Sequence, residues 1–218
     1  LYAAFPMTHI EPSVFPKLKS FLPHLWVAIW TTTPWTIPAN LAVAVNPDLT
    51  YAVVELVGAG SPELSVSQKT SQVNPPVPES GVENQPTTKY LIVAADLVER
   101  LSTTLGAQLT VKTTLKGYEL EHCKYRHPLC DRESPIVIGG DYVTTESGTG
   151  LVHTAPGHGQ EDYQVGMRYN LPILSPVDAD GNFTAEAGQF AGLNVLGEGN
   201  AAVVRALEQA GSLLKEEP

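Results

Sequence analysis

The chain has 218 residues, 43% of them hydrophobic and 17% charged, which fits one large water-soluble domain and leaves no apolar run long enough for a membrane helix. Its formal net charge of −10 argues against extended contact with a duplex phosphate backbone unless the few cations are focused in one place. Two cysteines are too few for a disulfide framework, so a reduced interior is expected.

Leu1 stands first, no basic segment leads into an apolar one, and the tail is charged, so the chain reads as a piece of a longer protein whose address signal lies elsewhere. Eighteen glycines and eighteen prolines predict many short elements joined by turns. His24 to Thr33 is apolar, aromatic and β-branched and predicts a strand; Leu41 to Val45 and Tyr51 to Val57 follow, with an Asn-Pro-Asp turn at Asn46 to Asp48 between them. Pro34 and Pro38 offer no amide hydrogen, so the chain around Trp35 must bulge or leave the sheet. Gly58 to Thr88 is Ser, Pro, Gln, Asn and Glu with hardly any large apolar residue, and reads as a flexible polar insertion. Lys89 to Ala94 resumes as a strand, Ala95 to Leu105 as a short helix closed by Gly106, and Gln108 to Leu115 as a strand. Ile136 to Ile138, Tyr142 to Thr145 and Gly150 to Thr154 read as further strands broken by glycines. Gln160 to Tyr169 predicts a helix, Asp180-Gly181 a hairpin-type turn, and Asn200 to Gln209 a helix with an Asn cap and Gly211 past its end. The expected class is α+β with strands dominating, as a single domain over 1–218 carrying the 58–88 insertion.

Three constellations could carry chemistry. In Trp30 to Asn40 (WTTTPWTIPAN), threonines alone are ordinary strand surface, but two prolines free the backbone beside four hydroxyls and two indoles. In Gly148 to Asp162 (GTGLVHTAPGHGQED), alternation puts Leu151, His153 and Ala155 on one strand face, and Asp162 falls in the first turn of the next helix. There Asp162 serves either the helix dipole or a bound cation, and His153 and His158 are either structural or at a pocket wall. Ser147, His153 and Asp162 also occur in triad-like order, but without a G-x-S-x-G elbow. The third, His122 to Cys130 (HCKYRHPLC), offers nitrogen and sulfur ligands without paired knuckles, so zinc is not expected. Lys124 and Arg126 there, with Lys112 and Lys116, form a basic cluster that could supply the focused phosphate contact. No phosphate-binding or dinucleotide loop motif occurs.

WTTTPWTIPANLAVAV and GTGLVHTAPGHGQEDY together closely resemble the editing (CP1) domain inserted in class I aminoacyl-tRNA synthetases. Valyl and leucyl relatives look like T-T-R-P-[ED]-T at the first stretch; Thr33 and Trp35 here resemble the isoleucyl branch instead. The resemblance covers most of the chain, with LYAAFP similar to the entering strand, and fails over 58–88. It implies a barrel-like fold shared by the valyl, isoleucyl and leucyl editing domains, with a few short peripheral helices. The implied activity is hydrolysis of valine wrongly esterified to isoleucine tRNA, without aminoacylation, since neither synthetic-site motif of that family is present. By the same resemblance Asp162 pairs with the substrate ammonium, Thr31, Thr32, Thr33 and Thr36 hold the terminal adenosine and ester, and His153 closes the side-chain pocket, supported by Trp35 and Asn40. Water serves as nucleophile, with no metal or cofactor. The implied partners are the acceptor end of tRNA(Ile) and the rest of the synthetase, the chain acting as a monomer in the cytoplasm or an organelle. A related editing domain with a different substrate, or a non-catalytic RNA-end or metal-binding module on Cys123 to Cys130, are the alternatives.

Overall fold

A computed structural model describes residues 1–57 and 89–217, so the polar stretch 58–88 lies outside the described residues. Ten strands form one sheet that curls on itself. β1 (Tyr2–His9) pairs antiparallel with β2 (Leu25–Trp30) through Tyr2 to Pro6, and its far end turns to β7 (Lys124–Arg126) at Met7 and His9. Pro6, lacking an amide hydrogen, is the last residue paired with β2, where β1 changes neighbour. From β7 the ring continues through β8 (Glu133–Ile138), β3 (Ala42–Val45) and β9 (Val152–Thr154) and returns to β2. That closes a six-stranded barrel. β5 (Lys89–Ala94), β4 (Thr50–Val57) and β6 (Gln108–Lys116) extend the sheet outward from β2, and β10 (Leu213–Lys215) lies on β1.

The strands form where apolar and β-branched residues run unbroken, and β3 and the stretch Tyr51 to Val54 of β4 are buried on both faces. Phe5, Leu18, Leu25, Ile29, Ile37 and Tyr125 belong to the main core, with the Phe5 and Tyr125 rings 5.4 Å apart. Short helices stay at the periphery: α1 (Phe15–Leu18), α2 (Val98–Leu105), α3 (Gln160–Arg168) and α4 (Asn200–Gln209). The expected α+β class and barrel-like form hold. Gly106 closes α2 in the left-handed region, as its place in the sequence predicts.

Two local expectations fail. Tyr142 to Thr145 is not a strand: Gly140 has φ +105° and Val143 N donates to its carbonyl at 3.1 Å, so the chain turns instead of extending. Asn200 does not cap α4; Gly199 occupies the cap, and Asn200 Oδ1 accepts from Trp35 N at 3.1 Å, tying α4 to the threonine segment.

Gly150 shows how closely the glycine-rich approach to β9 is fitted. Its φ is +77°, and a Cβ there would stand 2.3 Å from Ala94 Cβ. Its carbonyl also accepts from the buried Tyr51 hydroxyl at 2.8 Å. Gly150→Ala is expected to destabilise the fold by about 1–3 kcal/mol, from strained φ and overpacking together, read as a lower urea midpoint.

Candidate functional site

The threonine segment leaves the sheet after β2, as its prolines require. Pro34 to Ala39 forms a 3-10 turn, with Thr36 N donating to Thr33 O at 3.0 Å and Asn40 N to Ile37 O at 2.9 Å. Thr31 Oγ1 accepts from Thr33 N at 3.0 Å, a local bond that replaces the lost ladder. Thr31 and Thr32 line a cavity of about 350 Å³ together with Tyr142, Ser147, Gly148 and His153. A larger groove of about 510 Å³ runs along α3 on the other side of Tyr142, and the threonines do not line it.

β9 carries His153 against the turn, and four side chains form one chain of hydrogen bonds. Tyr125 O–H donates to Asn40 Oδ1 at 2.6 Å, and the Asn40 amide donates to Ala42 O at 2.9 Å and to His153 Nδ1 at 2.8 Å. His153 Nε2 meets Thr36 Oγ1 at 2.9 Å, and that hydroxyl donates its own hydrogen to Thr33 O at 2.8 Å. With Nδ1 accepting from an amide and the Thr36 hydrogen already committed, the ring proton belongs on Nε2. Burial pushes the His153 pKa down to about 3, helped by nearby His127 and His158, so the ring is neutral at pH 7. Both ring nitrogens are occupied, so His153 cannot act as general base toward Ser147, and the triad order in the sequence has no mechanical counterpart. Tyr125→Phe is expected to leave Asn40 Oδ1 without its buried donor and to cost about 1–3 kcal/mol, measurable as a lower melting temperature.

Asp162 lies in the first turn of α3, as the spacing predicts. One carboxylate oxygen accepts from Ala155 N at 2.8 Å, which fastens the helix start two residues beyond His153. Gly159 leaves room for the carboxylate: a Cβ there would stand 3.1 Å from Asp162 Cγ. Burial raises the Asp162 pKa, partly offset by the Ala155 amide, so its ionised form is under-solvated and suited to a cationic partner. Trp35 sits between the two stretches, its ring 5.3 Å from that of His158 in an edge-on contact. The structure thus brings the first two constellations into one region.

The third constellation has another use. Its cations are largely committed: Lys124 pairs with Glu133 at 3.2 Å, Arg126 with Asp131 at 2.7 Å, Lys112 with Glu55, and Lys116 Nζ donates to Asp48 O at 2.9 Å. Three of these four cations thus have a carboxylate partner, and Lys116 a backbone carbonyl. Tyr125, His127 and Arg132, which sequence reasoning did not assign to the site, turn inward to the threonine turn. The apolar-polar alternation of Tyr125 and His127 with Lys124 and Arg126 was the available signal: β7 buries alternate residues.

Residues 85–201 match the family described as leucyl-tRNA synthetase, editing domain. The chain belongs to the tRNA synthetase editing-domain family. Over its full length it is 65% identical to the isoleucine–tRNA ligase of Nostoc sp. (strain PCC 7120) and 60% identical to that of Thermosynechococcus vestitus, and it spans about 20% of each of these curated relatives. Both relatives are isoleucine–tRNA ligases, the branch that Thr33 and Trp35 resemble. The fold agrees: the crystal structure of GlLeuRS-CP1 matches with a TM-score of 0.65 at 13% identity, covering 100% of both chains. The Plasmodium knowlesi cytosolic leucyl-tRNA synthetase editing domain matches at 0.59 and 10%, covering 97% of this chain and 95% of that one. Among the described residues, no helix is long and apolar enough to cross a membrane.

Proposed function

We propose that this editing domain hydrolyses the ester of valine wrongly attached to tRNA(Ile), the post-transfer proofreading step of an isoleucyl synthetase. The observation that carries the reading is His153, neutral and immobilised between Thr36 and Asn40 on the wall of a cavity that Thr31 and Thr32 also line. Such a wall suits discrimination by size. A methylene is worth only about 1–3 kcal/mol when it merely gains or loses contact, so rejecting isoleucine needs overlap with a group that does not yield.

Asp162 holds the α-ammonium of the valyl group, which fixes the ester relative to the threonines. Thr31, Thr32 and Thr33 hold the terminal ribose and stabilise charge on the carbonyl oxygen through their hydroxyls; Thr36 contributes through His153. Water adds to the carbonyl carbon, and the ribose oxygen leaves with a proton, releasing valine and free tRNA. Holding an already activated ester beside a water supplies much of the rate, so no protein nucleophile, metal or cofactor enters. Trp35 and Asn40 support the wall. The domain takes only the single-stranded acceptor end, the rest of the synthetase carries the tRNA body, and the whole works as a cytoplasmic monomer.

The test is deacylation by the full-length synthetase of valyl-tRNA(Ile) and isoleucyl-tRNA(Ile) prepared separately. Selective release of valine supports the reading. Equal rates for the two esters, or rates no faster than in buffer, overturn it, and preferential release of threonine from tRNA(Val) would assign the site to another error.

A further inference from the structure

Among the described residues no strand pairs with the outer carbonyls of the threonine turn, yet Thr36 and Asn40 must both stay bonded to His153. Side chains of one short hairpin meet those carbonyls instead. Ile37 O accepts from His127 Nε2 at 2.8 Å, and Arg132 Nη1 donates to Asn40 O at 2.6 Å and to Pro38 O at 3.3 Å. His127 and Arg132 flank the β7–β8 turn, joined by His127 N donating to Arg132 O at 2.8 Å, and β7 also supplies the Tyr125 hydroxyl that holds Asn40. His127 is itself oriented from behind: Leu129 N donates to Nδ1 at 3.0 Å, which leaves the ring proton on Nε2, facing Ile37. Phe5 stacks on the ring with centroids 6.3 Å apart. Burial pushes the His127 pKa down to about 4, so this donor keeps one tautomer at neutral pH.

We infer that His127 and Arg132 are positioning residues for substrate discrimination, locking the backbone of the 34–40 turn so that Thr36 and Asn40 hold His153 as a rigid wall. The inference rests on the hydrolytic reading above. Neither residue lines the 350 Å³ cavity, so each acts through the turn. The clamp matters because a displacement of about 1 Å at a reacting or discriminating group is worth on the order of a hundredfold.

Two conservative substitutions separate positioning from bulk stability. His127→Gln places an amide nitrogen near the Nε2 position and keeps the donor to Ile37 O while losing the acceptor for Leu129 N; His127→Asn does the reverse. Arg132→Met keeps length and removes both carbonyl contacts, and stands in should the Asn variant not fold. The full-length synthetase and these variants are compared for kcat and KM on valyl-tRNA(Ile) and isoleucyl-tRNA(Ile), with thermal unfolding alongside. The Gln variant is expected within about threefold of wild type; Asn and Met should lose about tenfold or more in kcat at unchanged KM, and release isoleucine measurably. Variants that lose activity only in proportion to unfolding, at unchanged selectivity, overturn the inference. So does a selective wild type whose Asn and Met variants match it. A wild type that cleaves neither ester overturns the hydrolytic reading and this inference together.

Discussion

Replacing Asp162 with asparagine is expected to slow release of valine from valyl-tRNA(Ile) on the order of a hundredfold while the fold survives unharmed. Asparagine retains an oxygen for Ala155 N, so the start of α3 stays fastened. It loses the charge proposed to meet the substrate ammonium, and truncating one member of a desolvated charge pair costs about 2–5 kcal/mol, with about 1.4 kcal/mol per tenfold. Stability moves the other way. Burial raises the Asp162 pKa in the folded chain above its unfolded value, so its contribution is full below the unfolded pKa and is lost as pH rises through the folded one. At pH 7 the ionised carboxylate is a cost that asparagine removes. The variant should therefore melt at the same temperature or higher, and the acid limb of wild-type activity should be displaced upward from that of an ordinary aspartate. Steady-state deacylation and calorimetry on the same preparation decide it: lost activity with a lowered melting temperature would mean that Asp162 is a helix fastener alone.

His153→Ala carries the second large effect, on selectivity. Without the ring the pocket gains the space that an extra methylene needs, and the valine-over-isoleucine ratio in kcat/KM should fall by about ten- to a hundredfold. Isoleucyl-tRNA(Ile) should become a substrate. The substitution also strips partners from Asn40 and Thr36, each loss worth about 1–3 kcal/mol, so a lower melting temperature is expected together with retained valine release. In the wild type the neutral histidines leave a pH signature. The pKa values of His153 and His127 are depressed to about 3 and about 4, so their stabilisation is full above the unfolded value of about 6.5 and drains away as pH falls below it. Selectivity should stay flat between pH 6 and pH 9, while stability declines on acidification.

Much of this was legible from residues whose chemistry is local. Pro34 and Pro38 announce a departure from the ladder, and β2, β3 and β4 announce themselves by apolar and β-branched runs. β1 is harder, because Ala3, Ala4 and Pro6 are weak strand formers and its pairing with three other strands compensates. The clamp was hidden for a different reason. His122 to Cys130 displays metal ligands and cations, and only the barrel's closure shows that Tyr125 and His127 point inward while Lys124 and Arg126 find carboxylates outside. Asn200 likewise reads as a helix cap until the fold presents Trp35 N to it. Side chains chosen by distant backbone groups leave little trace in local pattern.

The wall proposed to face the substrate side chain is assembled from an imidazole, an amide, a phenol and a hydroxyl, none carrying net charge at neutral pH. Dissolved ions screen charges over about 8 Å at physiological strength but have little purchase on buried dipoles bonded to one another. On the proposed reading, capture of the acceptor end and of the ammonium group is electrostatic and should weaken as salt rises; the choice between two aliphatic side chains is steric and should not. A domain that works this way would set its throughput by the ionic medium and its accuracy by shape.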